Sequence, residues 1–226
     1  MSDISSLKKE SLKGGLWNFM TTITNHLRNF VVSLILARLL SPEDFGILGM
    51  ATAFSGLIDA FVDFGFGNAI IQKEKITNKQ ISTVFYINLF MGIVFTLIMF
   101  SASSLIAFFF NEPILDSIVK AMSISFIVKS LETVPRALFK KKLDFKTPFK
   151  IQMISVIISG VIGIILAFWG YGVWALALSQ ISGWVISTLL IWIYSNWFPI
   201  LYFKLSEVRD LWNFGYKYSI LSLIHI

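Results

Sequence analysis

The sequence predicts an all-α integral membrane protein, and three observations carry that prediction. Of its 226 residues, 56% are hydrophobic and only 14% charged, where a soluble domain carries about a quarter charged residues. The apolar residues fall in runs long enough for a bilayer core, which a helix crosses with roughly 20 residues. The basic residues collect in alternate connections between those runs. The mean hydropathy is +0.75. A soluble enzyme, a disordered chain and a fibrous protein are excluded, because this chain cannot cover a globule with polar surface. There is no cysteine, so thiolate metal sites, disulfides and cysteine nucleophiles are excluded as well.

Six stretches qualify as spans: 15–37, 46–71, 81–109, 114–134, 151–168 and 173–195. A seventh begins near 212 and is still apolar at Ile226, so the sequence is expected to stop inside a membrane segment. Residues 1–14 are read as a cytoplasmic N-terminus, 15–195 as a six-helix lobe, 196–211 as a cytoplasmic linker and 212–226 as the start of a second lobe. The apolar run behind residue 14 is too long for a cleaved signal peptide and no small-x-small site follows it, so segment 1 is expected to remain as a signal anchor.

The connections are short. Ser41-Pro42-Glu43-Asp44 is a helix start: Ser41 caps, Pro42 suits the first turn, and the two acids favour the positive end of the dipole. Asn111-Glu112-Pro113 and Gly170-Tyr171-Gly172 are tight turns. Segment 4, which contains Lys120, Lys129 and Glu132, is the weakest span.

Charge sets the orientation. One set of connections holds Lys8, Lys9 and Lys13, then Lys73, Lys75 and Lys79, then Arg136, Lys140, Lys141, Lys142, Lys146 and Lys150, and finally Lys204 and Arg209. The opposite set holds only Arg38. The positive-inside rule places the first set, and the N-terminus, in the cytoplasm. The net charge of +6 is explained by topology and needs no nucleic acid partner. Leu16-Trp17-Asn18-Phe19 opens segment 1 and Leu211-Trp212-Asn213-Phe214 opens segment 7, both behind a basic stretch. This echo suggests a six-plus-six parallel repeat, an arrangement known in transporters.

Polar residues inside the spans are the candidate functional groups. Segment 1 carries Asn18, Thr22, Asn25, Asn29 and Ser33 on one helical face, flanked by His26 and Arg28. Segment 2 carries Gly49, Thr52, Gly56, Asp59, Asp63 and Gly67 at spacings of three and four. Ionisable groups in hydrocarbon are costly and face a bundle interior or a wet cavity. Asn25, His26, Arg28, Asn29, Asp59 and Asp63 are therefore read as lining a translocation lumen. The competing account is interhelical hydrogen bonding that glues the bundle, with Asp59 paired to Arg28. Asp59 and Asp63 lie one turn apart, where each raises the other's pKa and one holds a proton, which suits coupling to H+ or Na+.

In segment 4, Asp116 with Lys120 and Lys129 with Glu132 stand at helical neighbour spacings and read as self-paired, with Lys129 a further lumen residue. Ser155, Ser159 and Gly163, and Gln180, Gly183 and Ser187, read as packing faces. Trp169, Tyr171 and Trp174 mark the outer interface, and Trp192, Tyr194 and Trp197 the inner one. There is no phosphate-cradling glycine loop with Lys-Ser/Thr and no His/Glu zinc pattern, so no bound cofactor or metal is expected. The largest connection, 135–150, is short and basic, and suits anionic lipid head groups.

Three stretches carry a family resemblance: Ala37-Arg38-Leu39-Leu40-Ser41-Pro42-Glu43-Asp44-Phe45-Gly46; Asp63-Phe64-Gly65-Phe66-Gly67 running into Ala69-Ile70-Ile71-Gln72; and Pro135-Arg136-Ala137-Leu138 through Lys142-Leu143-Asp144-Phe145. With these the chain resembles the Wzx-type polysaccharide flippases of the multidrug/oligosaccharidyl-lipid/polysaccharide exporter superfamily. The similarity is greatest to the branch of colanic-acid and teichuronic-acid exporters. That resemblance implies twelve or more helices in two lobes around a central cavity, with alternating access. It implies an undecaprenyl-diphosphate-linked oligosaccharide as substrate, moved across a bacterial inner membrane, with polysaccharide polymerase and assembly proteins as partners. The chain would be the N-terminal lobe of such a protein. Arg28 suits the diphosphate or acidic sugars, and Asn25 and Asn29 the sugar hydroxyls.

The rival within the superfamily is a cation-coupled drug antiporter, which would need an acidic lumen; Asp59 and Asp63 favour it, His26 and Arg28 oppose it. A membrane polysaccharide polymerase would need sizeable loops with catalytic residues, which the sequence does not contain. A non-transporting scaffold would not require a charged stripe deep in segment 1.

Overall fold

The structure, a computed structural model, describes residues 34–62, 66–73 and 75–205; for 55–62 it describes the backbone alone. Among the described residues every regular element is helical. A short helical stretch at 34–39 leads into α1 (Pro42–Val62), α2 (Phe66–Gln72), α3 (Asn78–Phe110), α4 (Ile114–Ser123), α5 (Ser125–Lys141), α6 (Lys146–Phe168) and α7 (Val173–Tyr194). Three of these, α3, α6 and α7, are long and apolar enough to cross a membrane.

The helix ends follow the local chemistry. At the start of α1, Asp44 N–H donates to Ser41 Oγ at 3.2 Å and Ser41 N–H donates to Asp44 Oδ2 at 2.9 Å, so the expected cap is a reciprocal box. A second box opens α3, between Thr77 and Gln80. The Asn111 turn closes α3 with a left-handed residue at φ 56°, a conformation that asparagine tolerates. Gly170 and Gly172 both have positive φ, 78° and 53°, which explains the glycines of that turn. A Cβ on Gly172 would lie 3.0 Å from Asp44 Oδ1, so the turn packs against the start of α1.

Two expectations are corrected. Segment 4 is two helices, interrupted at Ile124. There the Ser123 carbonyl accepts from Thr96 Oγ1 of α3 at 3.0 Å. The helix then runs on through Pro135 to Lys141, so the supposed 135–150 connection shrinks to 142–145. A proline at 135 lacks the N–H that the carbonyl four residues back requires. Here Trp192 Nε1 of α7 donates to that carbonyl, Leu131 O, at 3.1 Å, and the helix continues. Trp192 is therefore half-buried between elements, stacked edge-on against Phe85, and is no simple belt anchor. Trp169 and Tyr171 are exposed, as a belt requires. Within segment 2 the described residues are helical on both sides of 63–65, which lie outside the described residues.

Two apolar clusters hold the helices together. One joins α1, α4, the C-terminal part of α3 and the start of α5 through Ile47, Ala51, Met99, Leu115, Met122 and Phe126. The other joins α2 to α3 and α5 through Phe66, Ile70, Val84, Phe85 and Val134. Lys141 pins the end of α2: its ammonium donates to the carbonyls of Ile70, at 2.9 Å, and Lys73. The α6–α7 contact is a small-residue face, as expected. Ser179 Oγ donates to Ser159 O at 2.7 Å, Gly163 faces Ser179 and Gly183 faces Ser159. Close backbone approach of this kind is how helices associate in lipid.

Candidate functional site

The α5, α6 and α7 helices do not close on one another along their whole length. Between them lies a cavity of about 780 Å³. Its wall on α5 is Lys129, Glu132, Thr133 and Arg136; on α6 it is Gln152, Ser155, Val156 and Ser159; on α7 it is Ser179, Gln180, Gly183, Trp184 and Ser187. The spacings of three and four on each helix put these groups on one face, turned inward. The residues read as packing faces of segments 5 and 6 thus do both jobs: some meet their neighbour helix and the same stripe lines the cavity.

The charged groups are ordered by hydrogen bonds. Glu132 and Arg136, one turn apart, form an ion pair in which Arg136 Nη2 and Nε donate to Glu132 Oε1. Ser187 Oγ donates to the same oxygen at 3.2 Å, and Thr188 Oγ1 to Oε2 at 3.2 Å. The carboxylate is thereby saturated by α5 and α7 together, at 13% side-chain exposure against 30% for the guanidinium. A buried ion pair is tolerable where such extra hydrogen bonds satisfy it. Lys129 Nζ lies 4.7 Å from the ring centroid of Trp184, a cation–π distance.

Glu132 pairs with Arg136, a partner the sequence reading did not name. Arg136, expected among the loop charges, belongs to the cavity. The Asp116–Lys120 pair forms as expected, at 2.7 Å, with Ser103 and Ser104 also donating to Asp116. The described lining presents ammonium, guanidinium, amide and hydroxyl groups beside one carboxylate, groups that suit a phosphate, a carboxylate or a sugar hydroxyl.

Of the lumen residues named from the sequence, Lys129 stands on this cavity. Asn25, His26, Arg28, Asn29 and Asp63 lie outside the described residues, and so does the side chain of Asp59. Glu132, Arg136, Gln152 and Gln180 were not singled out as lumen groups. Their signal was present: Glu132 precedes Arg136 by four residues, the favourable order for a helical ion pair, but the expected span ended at 134 and left Arg136 among the charges of a connection. Among the described residues no cluster of histidine and carboxylate side chains could hold a metal ion.

A helical membrane protein, with a polar cavity beside two membrane-length helices, is the class that the described residues define. The sequence signature of the family described as polysaccharide biosynthesis protein matches residues 35–226. The chain belongs to that family. It is 28% identical to the lipopolysaccharide biosynthesis protein WzxC of Escherichia coli (strain K12) over 216 residues, 93% of this chain and 43% of that protein. It is 26% identical to the teichuronic acid biosynthesis protein TuaB of Bacillus subtilis (strain 168), over 93% of this chain and 44% of the relative. An uncharacterized membrane protein in the cps region of Klebsiella pneumoniae is 30% identical over 71% of this chain and 34% of its own length. The chain thus spans less than half the length of these relatives. No solved structure matches it. The resemblance carried by the three sequence stretches holds.

Proposed function

We propose that the chain is the leading lobe of a flippase. In this reading it moves an undecaprenyl-diphosphate-linked oligosaccharide from the cytoplasmic to the outer leaflet of a bacterial inner membrane by alternating access. The observation that carries the reading is the cavity of about 780 Å³ with Lys129, Arg136 and Gln180 on its wall, bounded on two sides by the membrane-length helices α6 and α7. Hydrocarbon does not pay for such a lining; a hydrophilic guest does. Guanidinium and ammonium groups suit a diphosphate or a uronate, and amides and hydroxyls suit sugar hydroxyls. Membership of a polysaccharide biosynthesis family, and relatives named for lipopolysaccharide and teichuronic acid biosynthesis, supply the substrate class.

In the same proposal, six crossings place both sides of residues 1–211 as the charge pattern requires, with the N-terminus cytoplasmic. A second lobe completes the lumen. Asn25, His26, Arg28, Asn29, Asp59 and Asp63 line it beside Lys129, with the two aspartates serving H+ or Na+ coupling. Polymerase and assembly proteins would take the delivered lipid. The reaction changes no covalent bond, so no catalytic residue is assigned.

The experiment is a charge series at Lys129 in the polypeptide as its gene encodes it, read as surface polysaccharide in a strain lacking its own flippase. Lys129→Arg should keep most of the export and Lys129→Gln should lose most of it, at equal membrane abundance. Full export by Lys129→Gln would remove Lys129 from the site. No export by the unaltered protein, whatever lipid-linked oligosaccharide the strain makes, would remove the flippase reading.

A further inference from the structure

Past Tyr194 the chain does not simply leave the bundle. Residues 195–205 fold back as an extended strap across the end of α7 and the start of α3. Three polar contacts tie it to α3. Trp197 Nε1 donates to Asn78 Oδ1 at 2.6 Å, Ile200 N–H donates to Ser82 Oγ at 3.0 Å, and the Tyr202 carbonyl accepts from Thr83 Oγ1 at 3.5 Å. Trp197 packs on Phe85 and Trp192, and Tyr202 lies under Lys79 Nζ at 5.0 Å. The opposite side of the strap is apolar and bare: Phe198 is 70% exposed, Leu201 97%, Phe203 57% and Leu205 61%.

We infer that this bare side is seated in the head-group region of the membrane, against anionic phospholipid, so that the strap is an interfacial anchor at the lysine-rich end of the bundle. Two observations select lipid as the occupant. The helices the strap crosses expose apolar side chains as well, Ile193 and Leu189 of α7 and Phe90 of α3. The strap is also bordered by exposed Lys75, Lys79 and Lys204, the arrangement of apolar side chains and lysines that binds an anionic interface. An extended segment is viable there and not deeper, because its outward backbone groups still reach water and head groups. The inference concerns where the strap sits and does not rest on the flippase reading.

The test uses the full chain, which has no cysteine, with a nitroxide on Leu201→Cys or, independently, on Phe203→Cys. The protein is reconstituted in vesicles of phosphatidylglycerol with phosphatidylcholine. Power saturation compares contact with oxygen, which enters the bilayer, and with a neutral nickel chelate, which stays in water. Both labels should show an oxygen-to-nickel ratio several-fold above that of a Lys75→Cys label and below that of a Phe90→Cys label. In pure phosphatidylcholine, or with Lys79→Gln and Lys204→Gln together, the ratio should fall toward the Lys75 value. A ratio equal to that at Lys75 in both lipids would overturn the inference by placing the strap in water. Labels shielded from both reagents would overturn it by showing a protein cover. A high ratio that ignores lipid charge and the lysines would overturn the anionic part.

Discussion

The Trp192 indole donates to the Leu131 carbonyl at 3.1 Å, the carbonyl that Pro135 deprives of its helical donor. A side chain of α7 thereby completes the backbone of α5. This lets α5 carry Glu132 and Arg136 as consecutive turns of one helix. Without that bond a helix end near 134 would be expected, and Arg136 would fall in a loop.

Removing the indole donor should expose the defect. Trp192→Phe keeps a ring against Phe85 and leaves the Leu131 carbonyl without a donor, at a cost of about 1–3 kcal/mol. Pro135→Ala restores the backbone N–H. The thermal midpoint of the purified protein should therefore fall on Trp192→Phe in the Pro135 background, and fall much less in the Pro135→Ala background. Equal losses in both backgrounds would mean that the indole acts through packing alone.

Two glycines separate close approach from mere space. A Cβ at Gly92 would stand 2.5 Å from Ser130 Oγ and 2.8 Å from the Phe126 backbone oxygen. Backbone cannot step aside cheaply, so Gly92→Ala should destabilise by about 1–3 kcal/mol. At Gly183 the nearest atoms are the Ser159 side chain at 3.2 and 3.3 Å. There the helical preference for alanine, about 1 kcal/mol, offsets the crowding, and Gly183→Ala should be near neutral. Thermal midpoints of the two variants, measured side by side, check the order.

The orientation is checked by single cysteines. Positions Lys75, Lys142 and Glu112 are accessible connections, and the chain has no cysteine of its own. An impermeant thiol reagent applied to intact cells should label only position 112, following the positive-inside rule. Lys142 is preferred over Lys141, whose ammonium is committed to the end of α2. Labelling at 142 from outside would invert the topology.

Helical class, the end of α6, the bounds of α7 to within a residue and both tight turns were legible in the sequence, because each is fixed by local terms: apolar run length, capping residues and residues that tolerate positive φ. The Ser41 box is of the same kind. What was not legible was anything decided by a neighbour across the bundle. The helix runs on through Pro135 because Trp192, 57 positions later, supplies the donor. The Glu132–Arg136 pair emerges only once Arg136 joins the same helix and Ser187 and Thr188 fix the carboxylate. The interruption at Ile124 likewise depends on Thr96. The stripe of Ser155, Ser159, Gln180 and Ser187 was visible as a pattern. Periodicity alone does not say whether two such faces meet or stand apart around a space.

The central claim is that a lipid-linked oligosaccharide passes through the cavity walled by α5, α6 and α7. Its most direct test is translocation in sealed vesicles holding the purified gene product. A labelled undecaprenyl-diphosphate oligosaccharide is placed in both leaflets, and its exposure to an impermeant sugar-modifying enzyme is followed with time. The account predicts that the protein speeds loss of protection of the inner-leaflet pool. It predicts that Gln180→Trp, which fills the cavity from its wall, abolishes that acceleration without changing reconstituted amount. Acceleration that survives Gln180→Trp would contradict the cavity as the path, and absence of acceleration by the unaltered protein would contradict the account itself.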